Sequence, residues 1–102
     1  MSARDFRDDF VIHLTEAALS APGQNPKRPG TQAWGFFEVI RAVANEGGTV
    51  GELRRRAKAI PGHRGRRGGW AGYNLTWDIG HGFIALEDPA TGARIARQDL
   101  AT

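Results

Sequence analysis

The chain has no cysteine, which excludes disulfide scaffolds, thiolate-bound zinc and thiol catalysis together and fits a reducing compartment. It has no long apolar run either: stretches such as Trp34 to Phe37 fall far short of the roughly 20 residues a membrane span needs. The polar opening Met1-Ser2-Ala3-Arg4-Asp5 leads into acidic residues rather than an apolar export signal, so a cytoplasmic location without membrane contact is expected. His13, His63 and His81 are scattered, and no nucleophile, imidazole and carboxylate recommend themselves as a set. A protein that is not an enzyme, with no cofactor and no small-molecule substrate, is therefore expected. Asp78 and His81 are near enough in sequence to share a metal, but two ligands make a poor site. A phosphate-binding P-loop is excluded because no Lys-Ser or Lys-Thr follows the glycines.

The most informative absence is of acid. No Asp or Glu lies between Leu53 and Trp77, while Arg54, Arg55, Arg56, Lys58, Arg64, Arg66 and Arg67 all fall there, half of the chain's 14 Lys and Arg. The net charge is only +3, so the placement of charge decides which surface can meet a polyanion. Residues 1–20 and 70–102 are each acidic on balance, and the middle of the chain is basic.

What is present suits one small globular domain. At 102 residues the chain can bury a single core, and 14 glycines predict sharp turns between short elements. Ser2 can cap a helix from Ala3 to Ser20, with Phe6, Phe10, Leu14 and Ala17 as its apolar stripe and Asp5, Asp8 and Asp9 near its positive end. Ile12 and Leu19 fall on the opposite side of that wheel, which makes this accessory helix (1–20) a candidate homodimer contact, with burial under the following loop as the equal alternative. Residues 21–30 hold three prolines and two glycines and read as a linker. Thr31 caps a helix over 32–46 that presents Phe36, Phe37, Ile40, Val43 and Ala44 on one face. Gly47-Gly48 ends it, and Thr49-Val50-Gly51-Glu52 reads as a capping box opening a helix to Ile60, with Val50, Leu53, Ala57 and Ile60 inward.

Residues 61–69 form a basic glycine-rich loop. A further helix is predicted over 70–79, with Trp70, Tyr73 and Trp77 as an aromatic stripe that faces the core or, as the rival reading, stacks on bases of a single strand. Gly80-His81-Gly82 breaks it. Residues 83–87 and 93–97 then read as a hairpin around Asp88-Pro89-Ala90-Thr91-Gly92, with Ile95 inward and Arg94 and Arg97 outward, before a frayed tail at 99–102.

The order from Thr31 to Arg97 resembles the winged helix-turn-helix superfamily. Thr49-Val50-Gly51-Glu52-Leu53 is similar to the start of a positioning helix, and Gly82-Phe83-Ile84, Asp88 to Gly92 and Arg94-Ile95 are similar to a wing. The implied fold is α+β and mainly α, a three-helix core plus a C-terminal hairpin over 31–98, with the extra N-terminal helix outside it. The resemblance implies that residues 70–79 occupy the recognition-helix position, so that Asn74 and Thr76 could meet base edges. Two departures stand out. The connection before that helix is long and basic, and the helix carries no Arg or Lys for guanine.

The expected function is duplex-DNA binding by a small transcriptional regulator or architectural factor. Arg55, Arg56, Lys58, Arg64, Arg66 and Arg67 would neutralise phosphates, and Arg94 and Arg97 would add backbone contacts from the wing. Two rivals remain open. Gly62-His63-Arg64-Gly65 and Gly65-Arg66-Arg67-Gly68 match the Gly-x-x-Gly of single-stranded RNA or DNA clamps, and a winged helix can serve protein contacts alone. Asn74-Leu75-Thr76 also fits a glycosylation acceptor, a chance match in a chain expected to stay inside the cell.

Overall fold

A computed structural model describes residues 6–60 and 69–96. Among them the chain forms a small α+β domain of four helices and one three-stranded antiparallel sheet. In chain order these are β1 (Val11–Leu14), α1 (Glu16–Leu19), a 3-10 turn (Pro22–Gln24), α2 (Gln32–Asn45), α3 (Val50–Ala57), α4 (Gly69–Gly80), β2 (Ile84–Glu87) and β3 (Arg94–Ile95).

The N-terminal segment corrects the sequence reading: it is a strand followed by one helical turn, not a helix over 3–20. Phe6, Phe10 and Leu14 satisfy a four-residue period, but Phe10, Ile12 and Leu14 also satisfy a two-residue period, and Ile12 decides between them. On a helix it would point away from the stripe. On a strand it joins Phe10 and Leu14 on one face, where it is fully buried. β1 pairs antiparallel with β2, Ile12 opposite Leu86 and Leu14 opposite Ile84, and β2 pairs with β3, Leu86 opposite Ile95. These five apolar residues form the inner face of the sheet. The motive for an N-terminal dimer helix goes with the helix, because Ile12 is satisfied inside its own domain. Of the two residues that suggested a second contact face, Leu19 is the one left exposed.

α2 and α3 follow their signals. Thr31 Oγ1 accepts from Trp34 N–H at 3.1 Å and Thr49 Oγ1 from Glu52 N–H at 3.3 Å. Phe36, Phe37, Ile40 and Val43 of α2, with Val50, Leu53 and Ala57 of α3, are buried in one cluster, and Ala44 and Ile60 lie against it. The capping box is only half made, since the Glu52 carboxylate turns to Arg55 and Arg56 instead of its own turn. The residues just before β1 supply partners at the start of α3: Phe10 O accepts from Val50 N–H and Asp8 O from Gly51 N–H, both at 2.9 Å. Ile12 N–H donates to Gly48 O at 3.1 Å, so the strand is stitched to the α2–α3 turn along its other edge.

α4 also forms where expected, but with a different inner face. Leu75, Asp78 and Ile79 are buried, whereas Trp77 is 38% exposed. The proposed aromatic stripe is thus corrected at Trp77, and the side chains of Trp70 and Tyr73 lie outside the described residues. The hairpin turn is set by Asp88, whose carboxylate accepts from Ala90 N–H at 2.9 Å and whose carbonyl accepts from Gly92 N–H at 2.7 Å, with Gly92 at φ 75°. Ile95 is half-buried and Arg94 points outward, as the alternation predicts.

Gly48 is where the turn leaves no room. A Cβ there would lie 2.7 Å from Val43 Cγ1 and 3.0 Å from the Val43 carbonyl oxygen, with Val43 itself fully buried. Gly48→Ala is expected to cost about 1–3 kcal/mol by overpacking, measured as a lower urea midpoint at unchanged slope. A variant as stable as the wild type would show that the α2–α3 turn yields without loss.

Candidate nucleic-acid interface

The basic face predicted for α3 is present, and its arginines are engaged by the protein's own carboxylates. Arg54 pairs with Asp8 and also donates to Phe6 O at 3.1 Å. Arg55 pairs with Glu52, one turn back on α3. Arg56 donates from Nε to Glu52 at 3.0 Å and from Nη2 to Glu46 at 2.7 Å. The hydrogen bonds from Arg56 hold the Glu46 carboxyl below its ordinary pKa, and those from Arg55 and then Arg56 do the same to Glu52. Such exposed pairs are each worth little in water. Their effect here is on the field: the cationic stripe read from sequence is largely cancelled at short range.

The same holds across the described residues. Arg7 pairs with Asp9 and Asp88, Arg41 with Glu38, and Arg94 approaches Glu87 at 3.7 Å, a carboxylate already held by His13 at 2.6 Å. Arg28 and Lys58 are the two described basic residues without a carboxylate of the described residues within 4 Å, and both are exposed. The described residues carry nine Lys or Arg and nine Asp or Glu. The net +3 therefore comes from outside them: Arg64, Arg66 and Arg67, since Arg4 with Asp5 and Arg97 with Asp99 cancel.

Arg55 and Arg56 lie on α3 and Lys58 is its C-cap, and the sequence runs on from there through Arg64, Arg66 and Arg67 to Gly69 at the start of α4. Those three arginines and Arg97 lie outside the described residues, as do both Gly-x-x-Gly repeats and the side chain of Asn74. Thr76 is half-buried on α4. Arg94 sits exposed on β3, at the outer edge of the sheet.

Sequence reasoning missed a second polar cluster, built around Asp78 of α4. Residues 21–30, read as a bare linker, form a strap whose Lys27 Nζ donates to Asp78 Oδ1 at 2.6 Å. The Lys27 side chain is 9% exposed and that of Asp78 not at all. Asn25 fixes the strap: its Nδ2 donates to Trp34 O at 3.0 Å and to Glu38 at 2.9 Å, while its Oδ1 accepts from Lys27 N–H at 3.0 Å. Lys27 Nζ also lies 3.6 Å from the Trp77 ring centre, and the His81 imidazole stacks on Trp77 at 3.5 Å and 14°. Two groups so close to one ring centre cannot share a face, so both faces of Trp77 are covered. His81 Nδ1, 2.7 Å from Trp77 O, must be its protonated nitrogen, because a carbonyl only accepts. A lone acid between Leu75 and Ile79 on a buried face was the signal available in sequence; its partner lies 51 residues away.

Burial pushes the Asp78 carboxyl up from its ordinary pKa, against the opposing hydrogen bond and charge of Lys27. Its second oxygen, Oδ2, is buried without a hydrogen-bond partner among the described residues.

No known family, curated protein or solved structure matches the chain. Among the described residues no helix is long and apolar enough to cross a membrane, and no three His, Asp or Glu are grouped to hold a metal.

A raised pKa means that the carboxyl binds its proton more tightly in the folded chain than in the unfolded one. The stability Asp78 contributes is complete below its ordinary value of 3.8 and is lost as the pH rises through the raised one. Asp78→Asn, which cannot ionise, is accordingly expected to gain on the wild type between pH 4 and pH 7 in chemical unfolding. A stability difference that stays constant, or moves toward the wild type, would contradict the assigned direction.

Proposed function

We propose that the protein is a winged-helix duplex-DNA binder, a small transcriptional regulator or architectural factor, whose affinity comes mainly from the basic α3–α4 connection. The observation that carries the reading is the division of charge. The described body is balanced nine against nine and nearly all its cations are paired, so the surplus rests in Arg64, Arg66 and Arg67, beside the exposed Lys58. A neutral scaffold with one cationic segment directs a polyanion to that segment rather than to the whole surface.

The arrangement around it supports the winged-helix layout: α2, α3 and α4 follow one another into a common core, and an antiparallel hairpin comes next. One feature departs from a plain hairpin wing, since β1 adds a third strand beside β2. In this reading Arg64, Arg66, Arg67 and Lys58 neutralise phosphates, and Arg94 and Arg97 approach the backbone from the hairpin. Asn74 and Thr76 supply the base-edge contacts open to α4. Arg55 and Arg56 act only by exchanging Glu52 and Glu46 for phosphate, which makes them secondary. Stacking of an unpaired base on Trp77 has no open ring face to use.

Fluorescence anisotropy with a random-sequence duplex at two salt concentrations tests the assignment. Replacing Arg64, Arg66 and Arg67 by Ala is expected to weaken binding to all duplexes alike and to flatten the log–log salt slope by about 2–3, at roughly 0.9 per phosphate contact. The Arg55→Ala, Arg56→Ala double variant should lose much less. Unchanged affinity in the triple variant, or a preference for single-stranded RNA in competition, overturns the proposal.

A further inference from the structure

Lys27 Nζ occupies a site that has the chemistry of an ammonium receptor. The Trp77 ring centre is 3.6 Å away, that of Phe83 5.5 Å and that of Phe37 6.0 Å, all within the range in which an aromatic face attracts a cation. Asp78 Oδ1 accepts at 2.6 Å from the same nitrogen. Three aromatic faces around one carboxylate make a cage, and α2, α4 and the turn into β2 build it without any help from the strap.

The cage is held independently of its occupant. Phe37 is fully buried in the core and Phe83 packs against it. His81 stacks on the far face of Trp77 and ties itself to the Trp77 carbonyl, so the indole keeps its angle. Asp78 is fixed by the burial of its helix face, and its Oδ2 sits there fully buried and unpartnered. A buried carboxylate oxygen without a donor costs more than an ordinary hydrogen bond gains. Lys27 therefore fills the cage without satisfying it.

The strap that delivers Lys27 is attached by little else. No apolar side chain of residues 22–30 joins the core cluster, and among the described residues its backbone hydrogen bonds are local, such as Gln24 N–H to Ala21 O and Thr31 N–H to Arg28 O. Asn25 and Lys27 are its side-chain moorings.

The geometry points to a binding site for a primary alkylammonium ion, formed by Asp78, Trp77, Phe83 and Phe37 and closed in the resting protein by the chain's own Lys27. The class is set by the contacts. A primary ammonium has N–H donors for Asp78, as Lys27 shows at Oδ1, whereas a quaternary ammonium offers none and is too wide for a centre 3.6 Å from the indole. The natural ligand is an amine able to outcompete a tethered lysine, either a small diamine or a lysine side chain. This assignment stands apart from the DNA-binding proposal and uses none of its residues.

The test empties the cage and refills it. Lys27→Ala is expected to melt at a lower temperature than the wild type, and n-butylammonium, which reproduces the lost side chain, should restore it. The expected rise is saturable and about 4–8 °C once the ligand reaches roughly five times its Kd. n-Butanol and tetramethylammonium at the same concentrations should give no saturable rise, and neither should n-butylammonium with the Lys27→Ala, Asp78→Asn double variant. If Lys27→Ala is unfolded alone, recovery of structure on adding n-butylammonium supports the site equally, and failure to recover counts against it. Putrescine and Nα-acetyl-lysine amide, compared on the same variant, separate a diamine from a lysine side chain as the source. Restoration by n-butanol as well as by the ammonium would show a mere apolar void and overturn the proposal, as would no response to n-butylammonium.

Discussion

The pairing of β1 with β2 is the constraint from which the rest of the molecule follows. A hairpin whose second strand has two residues is a marginal structure by itself. The N-terminal strand turns it into a sheet with one apolar face, and Ile12, Leu14, Ile84, Leu86 and Ile95 close the core over α2 and α3. The other edge of the same strand takes Gly48, and the residues before it cap the first turn of α3. Just beyond it, Thr15 bonds to both Gly82 and Phe83, fixing the turn that leaves α4. One short segment thus sets the positions of two helices and a hairpin.

Charge is organised as economically as packing. In the described body Glu38, Glu46 and Glu52 are each matched with an arginine one turn away or across a short gap. The exception is the buried Lys27–Asp78 pair, where desolvation rather than the partner governs the carboxyl. Exposed pairs of the first kind shape the field at the surface. The buried pair instead ties a segment with no apolar anchor to the helix behind it.

The parts legible in the sequence are those written in local chemistry. Thr31, Thr49 and Gly47-Gly48 announce the ends of α2 and α3, and Asp88 with Gly92 announces the hairpin turn, because each needs only neighbours within a few residues. β1 is ambiguous for a physical reason: its apolar residues satisfy two periods, and the choice is made by Ile84 and Leu86, far away in sequence. Trp77 reads as core because of its helical spacing, whereas its faces are covered by a lysine and an imidazole that no periodicity reveals. For the interface, the sequence exposed the cluster of arginines but not their partners. Asp8 and Glu46 reach Arg54 and Arg56 only through the turn between α2 and α3 and the strand beside it.

The long reach of the first strand also bears on how the chain acquires its structure. His13 finds Glu87 across 74 positions of sequence, and Val11 to Leu14 have no sheet partner until residues 84–87 exist. Contacts that close so large a loop come late and slow the search. During synthesis the helices can form as they emerge, and β1 can meet the α2–α3 turn early, but its edge facing β2 stays open until residues 84–87 have been made.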